Sequence, residues 1–230
     1  PALPAWATRG AIIGLKDGAN SFARLDRHRE AGTVICGLWC EDWAGIRETS
    51  FGRRLFWDWR RDRQRYADLP ERIAALKERG IRFLAYANPY LANDGILFET
   101  ARELGHFALR QDSDDPYLVD FGEFDCGVLD FTRAETLDWF AEVLAREMLD
   151  IGIDGWMADF GEYLPTDLRL ADHDPRDARL RRRHVVHLGP GEAVVRPGTT
   201  VLVRVRRRCA SRRARQRRAT SITCAWAKSF

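Results

Sequence analysis

The feature that most constrains this chain is a repeated alternation of short apolar runs with longer amphipathic stretches. The runs are 11–16 (AIIGLK), 33–39 (TVICGLW), 81–90 (IRFLAYANPY), 127–131 (GVLDF) and 152–159 (GIDGWMAD). Between them lie segments of helical composition at 21–32, 68–80, 94–105 and 132–152. The 68–80 segment carries Asp68 and Glu71 at capping-box spacing, Pro70 in its first turn, Ile73 and Leu76 on one face, and Gly80 as a stop. The 132–152 segment repeats the box with Thr132 and Glu135, and places Leu137, Phe140, Leu144 and Met148 at helical spacing. Strands continuously apolar and separated by about a dozen helical residues predict βαβ units and a parallel sheet covered on both faces. The fold class is therefore α/β, either a doubly wound sheet or part of a (β/α)8 barrel. Neither a G-x-G-x-x-G nor a P-loop motif occurs, which favours the barrel.

In a barrel, chemistry gathers at the C-terminal ends of the strands, and Asp42, Asn88 and Asp159 fall at three of them. Asp159 either caps the next loop or belongs to a site. The aromatics around it (Trp156, Phe160, Tyr163) favour the site, since sugar rings bind against aromatic faces and a dry wall strengthens any interaction with a developing cation.

The segment GWMADFGEYLPTD resembles the nucleophile region of glycoside hydrolase family 31, the retaining α-glycosidases. The resemblance implies a (β/α)8 TIM barrel of which this chain holds the N-terminal half. It places the catalytic nucleophile at Asp159 and a supporting acid at Glu162. The stretch EDWAGIRETSFGRRLFWDW is similar to the branch of that family that cleaves α-glycosides of 6-deoxy-6-sulfoglucose, the sulfoquinovosides. By that likeness Arg54 and Trp57 hold the sulfonate, Glu41 lies near the sugar, and Asp42 bonds sugar hydroxyls. A sulfonate is a permanent anion with acceptor oxygens only, and guanidinium and indole N–H are donors only, so the chemistry agrees. A neutral hydroxyl at the same place would leave the arginine charge unpaired. Read without the resemblance, Arg54 is a solvated arginine and Trp57 a core tryptophan. The substrate implied is a small-molecule glycoside, with no cofactor and no metal. An ordinary α-glucoside is the alternative substrate, and a non-catalytic binding protein the alternative class.

The similarity runs from about residue 8 to residue 172, giving a first unit, 1–172, and a second, 173–230. A retaining glycosidase needs a second carboxyl about 5–5.5 Å from the nucleophile, and the family's acid/base aspartate lies in a later region that nothing after 172 resembles. Glu162, three residues from Asp159, is expected to orient the nucleophile rather than to face it. As written, the chain is expected to lack full turnover. Residues 178–230 hold 15 Lys and Arg against one acid, so that residues 1–177 carry −11 within a whole-chain charge of +3. Runs such as RVRRR and RRARQRR read either as a basic nucleic-acid arm or as the product of a slipped reading frame in a GC-rich gene. The abrupt end of a long match in mid-domain favours the slip, and nucleic acid is not expected as a partner. Five irregularly spaced cysteines (36, 40, 126, 209 and 224) read as reduced, buried thiols. No signal peptide opens the chain and no apolar run is long enough for a membrane span, so a cytoplasmic protein without a membrane partner is the expectation.

Overall fold

In a computed structural model, residues 4–161, 163–172, 174 and 176 are described, together with the backbone of 202–203. The strands are β1 (Ala11–Gly14), β2 (Ile35–Trp39), β3 (Ile46–Thr49), β4 (Gly52–Leu55), β5 (Arg82–Ala87), β6 (Tyr90–Ala92), β7 (Leu109–Arg110), β8 (Leu118–Asp120), β9 (Asp125–Val128), β10 (Gly155–Ala158), β11 (Leu168–Arg169) and β12 (Leu202–Val203). The helices are α1 (Asn20–Glu30), α2 (Leu69–Glu78), α3 (Ile96–Glu103) and α4 (Ala134–Leu144), the last running on into a π turn over Ala145–Leu149.

The main sheet has the order β1-β2-β5-β10-β12, all parallel. All four residues of β10 are buried, and five of the six in β5, as a sheet covered on both faces requires. Helix α2 turns Leu69, Ile73 and Leu76 inward, and α4 turns Thr136, Phe140, Val143 and Leu144 inward. Neither predicted capping box forms. Asp68 stands at the N-cap of α2 but makes no cap bond, and its carboxylate instead takes Arg72 Nε at 2.9 Å, one helical turn on. Thr132 donates to Asp130 rather than capping α4.

Two of the predicted runs divide differently from the expectation. The run 81–90 is not one strand. β5 stops at Ala87 because Pro89 has no N–H for the ladder and restricts the residue before it, and fully buried Asn88 then accepts the Tyr90 N–H on its own Oδ1 at 3.0 Å, turning the chain into β6. The run 127–131 contributes not to the parallel sheet but to β9, the middle of an antiparallel side sheet of order β6-β9-β8. A further two-stranded sheet, β3–β4, is a hairpin inserted between β2 and α2.

Of the 173–230 stretch, the described part is residues 174 and 176 and the backbone of β12, which pairs with Met157 and Ala158 of β10. The basic runs at 204–208 and 212–218 lie outside the described residues. Among the described residues no helix is long and apolar enough to cross a membrane. Cys36, Cys40 and Cys126 are buried free thiols.

Candidate active site

The C-terminal ends of the four long-paired strands converge on a set of polar groups. Lys16 lies two residues past the end of β1 and Glu41 two residues past the end of β2, and Gly14 and Trp39, the last residues of those strands, are register partners. The equal offset brings Lys16 Nζ to 2.9 Å from Glu41 Oε1. Asp159 follows β10, and its backbone N–H donates to Ala87 at the end of β5 at 3.1 Å, which locks its Cα in the plane of the sheet. Its half-buried carboxylate accepts from the Tyr86 hydroxyl on Oδ2 at 3.3 Å. Burial, and after it the Asp159 carboxylate, push the Tyr86 phenol above its ordinary range, so it stays a donor.

Asp42, expected to bond sugar hydroxyls, is an interior carboxylate. It is 0 % exposed, and protein groups occupy both its oxygens: Gly18 N–H at 3.1 Å and Arg65 at 2.5 Å on Oδ2, and the Tyr66 hydroxyl at 2.6 Å on Oδ1. A carboxylate so enclosed holds the loops after β1 and β2 together, with three of its acceptor positions taken by protein donors. Glu162 lies outside the described residues.

Arg54 and Trp57 come from the hairpin and the segment that leaves it. Arg54 is exposed, with no hydrogen-bond or ion-pair partner among the described residues. It stands directly opposite Arg47 in the β3–β4 register and therefore on the same face. Two like charges so placed repel, but Arg47 is neutralised by a two-pronged pair with Asp94, at 2.8 and 3.1 Å, and its guanidinium is sandwiched between the rings of Phe56 and Phe124.

Trp57 is 6 % exposed, so the core reading of this tryptophan is right about its ring. Its neighbours are Phe121, Phe160, Phe124 and Tyr90, with ring centroids 4.7, 5.6, 5.8 and 6.0 Å away. Its indole N–H, however, is buried with no acceptor among the described residues. By contrast, Trp39, Trp43 and Trp59 each donate to a backbone carbonyl at 2.8–2.9 Å. An indole donor left without a partner in a ring of aromatics is suited to an acceptor brought by a ligand.

Phe160 joins the two halves of the site. It directly follows Asp159, adopts a left-handed backbone conformation (φ 58°) uncommon for a bulky residue, and packs its ring on Trp57, Phe121 and Tyr163. The residue next to the strand-end carboxylate thus touches the tryptophan that carries the orphaned donor.

Comparison with known proteins identifies the family and the fold. The family model described as "Glycosyl hydrolases family 31 TIM-barrel domain" matches residues 12–193, past residue 172, where the resemblance read from sequence stops. Over 173 residues, 75% of this chain and 26% of the relative, it is 60% identical to a sulfoquinovosidase of Agrobacterium fabrum. Over 171 residues, 74% of this chain and 25% of the relative, it is 46% identical to a sulfoquinovosidase of Escherichia coli. The chain therefore spans about a quarter of the length of the curated relatives it matches. A solved family 31 sulfoquinovosidase from E. rectale, in complex with the aza-sugar inhibitor IFGSQ, superposes with a TM-score of 0.76 at 46% identity, covering 82% of this chain and 28% of that one. The parallel sheet described above is part of a TIM barrel, and the chain belongs to glycoside hydrolase family 31.

Proposed function

We propose that this chain carries the nucleophile side of the active site of a retaining α-glycosidase that acts on α-sulfoquinovosides. One observation carries the reading: a buried indole N–H without an acceptor, in an aromatic box that touches the residue after Asp159. A sulfonate oxygen would satisfy that donor, and the exposed, unpaired Arg54 supplies the countercharge. Discrimination against an ordinary glucoside rests on charge. A 6-hydroxyl can also accept from the Trp57 indole, but a sulfonate oxygen makes the stronger, charge-assisted bond there and pairs with Arg54. The sulfoquinovosidase relatives at 60% and 46% identity support the same substrate over the glucoside alternative.

In the first half-reaction an Asp159 oxygen forms a bond to the anomeric carbon as the bond to the leaving oxygen breaks, and that oxygen takes a proton from a general acid that the described residues do not supply. In the second, water attacks the anomeric carbon, the carboxylate leaves, and the proton of the water returns to that acid. Asp42 is enclosed and Glu41 is held by Lys16, so neither is assigned the proton-donor role.

The test is a 5-fluoro sulfoquinovosyl fluoride, whose fluoride leaves with its electron pair and needs no proton. The folded chain should gain one glycosyl mass, mapped to Asp159, and should react more slowly with the unsulfonated analogue. A folded chain that stays unlabelled, or that labels elsewhere, overturns the reading.

A further inference from the structure

We propose that Tyr86 is a positioning residue for Asp159, delivering its only hydroxyl proton to one carboxylate oxygen so that the other faces the sugar. The inference rests on the reading of Asp159 as the nucleophile. Its basis is the direction of a hydrogen-bond relay across the strand ends. Tyr90 N–H donates to Asn88 Oδ1 at 3.0 Å. Only an oxygen can accept from a backbone N–H, so this bond fixes which way the buried amide is turned, and Asn88 Nδ2 faces the Tyr86 hydroxyl at 3.4 Å. An amide nitrogen has no lone pair to accept with, so the phenolic oxygen is the acceptor there. Its proton goes to the remaining neighbour, Asp159 Oδ2, at 3.3 Å. Every bond in the relay runs the same way, from the Tyr90 backbone to the carboxylate.

The consequence is an inequivalence between the two oxygens of Asp159. Oδ2 is tied to Tyr86, and Oδ1 has no hydrogen-bond partner among the described residues. The free oxygen, Oδ1, is the one that attacks. Tyr86 is itself held in place, its ring against Trp59 (centroids 6.0 Å apart) and its backbone within the buried run of β5.

The experiment is the rate of Asp159 labelling in the 230-residue chain by the 5-fluoro sulfoquinovosyl fluoride, followed by mass over a range of reagent concentrations. Tyr86→Phe removes the hydroxyl and keeps the ring. It should lower the maximal labelling rate by about ten- to a hundred-fold, the worth of a hydrogen bond to a charged group, with the half-saturating concentration unchanged. Asn88→Asp should reproduce the loss with Tyr86 intact. An aspartate there can take the Tyr90 N–H on one oxygen and draw the phenolic proton away from Asp159 with the other. The double variant should be no slower than either single one.

If the unaltered chain takes no label, the reading of Asp159 falls and this inference falls with it. If it labels and both variants label as fast, only the inference is overturned. A variant that raises the half-saturating concentration at an unchanged maximal rate also overturns it, because that pattern belongs to a group that binds the sugar. Should Tyr86→Phe fail to fold, Asn88→Asp carries the test by the same criteria.

Discussion

The two sides of the site are positioned by different means. Asp159, Tyr86 and Asn88 stand in or directly after β10 and β5, where backbone bonds of a buried parallel ladder fix each Cα. Arg54 and Trp57 stand in and after a hairpin that pairs with no other strand among the described residues. Among the described residues, side chains and one backbone bond hold that hairpin to the rest. Arg47 reaches Asp94, and the Ser50 backbone and hydroxyl donate to Glu123. Buried Asp58 accepts the Leu97 N–H at 2.8 Å and Arg60 Nε at 2.8 Å, and Ala92 N–H donates to the Trp57 carbonyl at 3.0 Å. The first arrangement suits a bond-forming carboxylate, which tolerates little displacement. In the second, a barrel can change what it recognises at one end of a sugar by changing a clasped insertion, leaving the strand ends alone.

The largest effect is expected on the ladder side. Asp159→Asn should abolish labelling by the fluoro reagent altogether, because an amide is no nucleophile. The thermal midpoint should move little, since the side chain is half-buried and its one partner among the described residues is a hydroxyl. Binding of a sulfonated glycoside, read by titration calorimetry, should persist, because the hairpin side is untouched.

How far each side is legible in the sequence follows from the same contrast. The strand ends are legible: a buried parallel strand is a continuous apolar run, and the polar residue that closes it is conspicuous, as with Asp159 after WMA and Asn88 after FLAYA. Tyr86 is not legible. In FLAYA it reads as one more core aromatic, and its hydroxyl acquires meaning only from a carboxylate 73 residues on. Glu41 came from the family likeness, and its pairing with Lys16 was within reach, since both lie two residues past paired strand ends, but that needs the β1–β2 register. Arg54 and Trp57 came from the family likeness alone. The hairpin between them and Asp42 escaped notice because IRET-SF-GRRL alternates only weakly and its turn rests on Gly52, at φ 91°, without a flanking Asn or Asp. The enclosure of Asp42 is not legible, because it depends on Gly18, Arg65 and Tyr66, up to 24 residues distant.

Next in size is the loss of a clasp. Asp58→Ala leaves the Leu97 N–H at the start of α3 without its acceptor inside the protein, and chemical denaturation should register about 2–3 kcal/mol of lost stability. Gly95 has no room to help: a Cβ there would lie 2.7 Å from Asp58 Oδ1, so the contact relies on glycine, and Gly95→Ala should damage the same clasp. In either variant the sulfonated ligand should bind more weakly while labelling by the unsulfonated reagent is largely kept.

A smaller effect tests the recognition chemistry without disturbing the clasps. Trp57→Phe keeps an aromatic ring among Phe121, Phe124, Phe160 and Tyr90 but removes the orphaned donor. Calorimetric affinity for a methyl α-sulfoquinovoside should fall about ten-fold, one charge-assisted hydrogen bond, with a smaller fall for methyl α-glucoside. Equal losses for both ligands would mean that the ring alone matters.

The smallest effect concerns the tip of the hairpin and is set by pH. Glu123 sits at a left-handed backbone position (φ 65°) in the turn between β8 and β9, and its carboxylate accepts both the Ser50 amide and the Ser50 hydroxyl. Those two bonds hold its carboxyl below the ordinary glutamate value of 4.5. Because the folded value is depressed, the latch is fully formed above the ordinary glutamate range and is lost as pH falls through the folded value. Exchange of the Ser50 amide, followed by NMR, should therefore stay protected near neutrality and lose protection only below pH 4.5. The Asp159 amide, bonded to Ala87 in the ladder, should keep its protection over the same range. If both amides opened together, the hairpin would be no more independent than the strands, and the distinction between the two sides of the site would not hold.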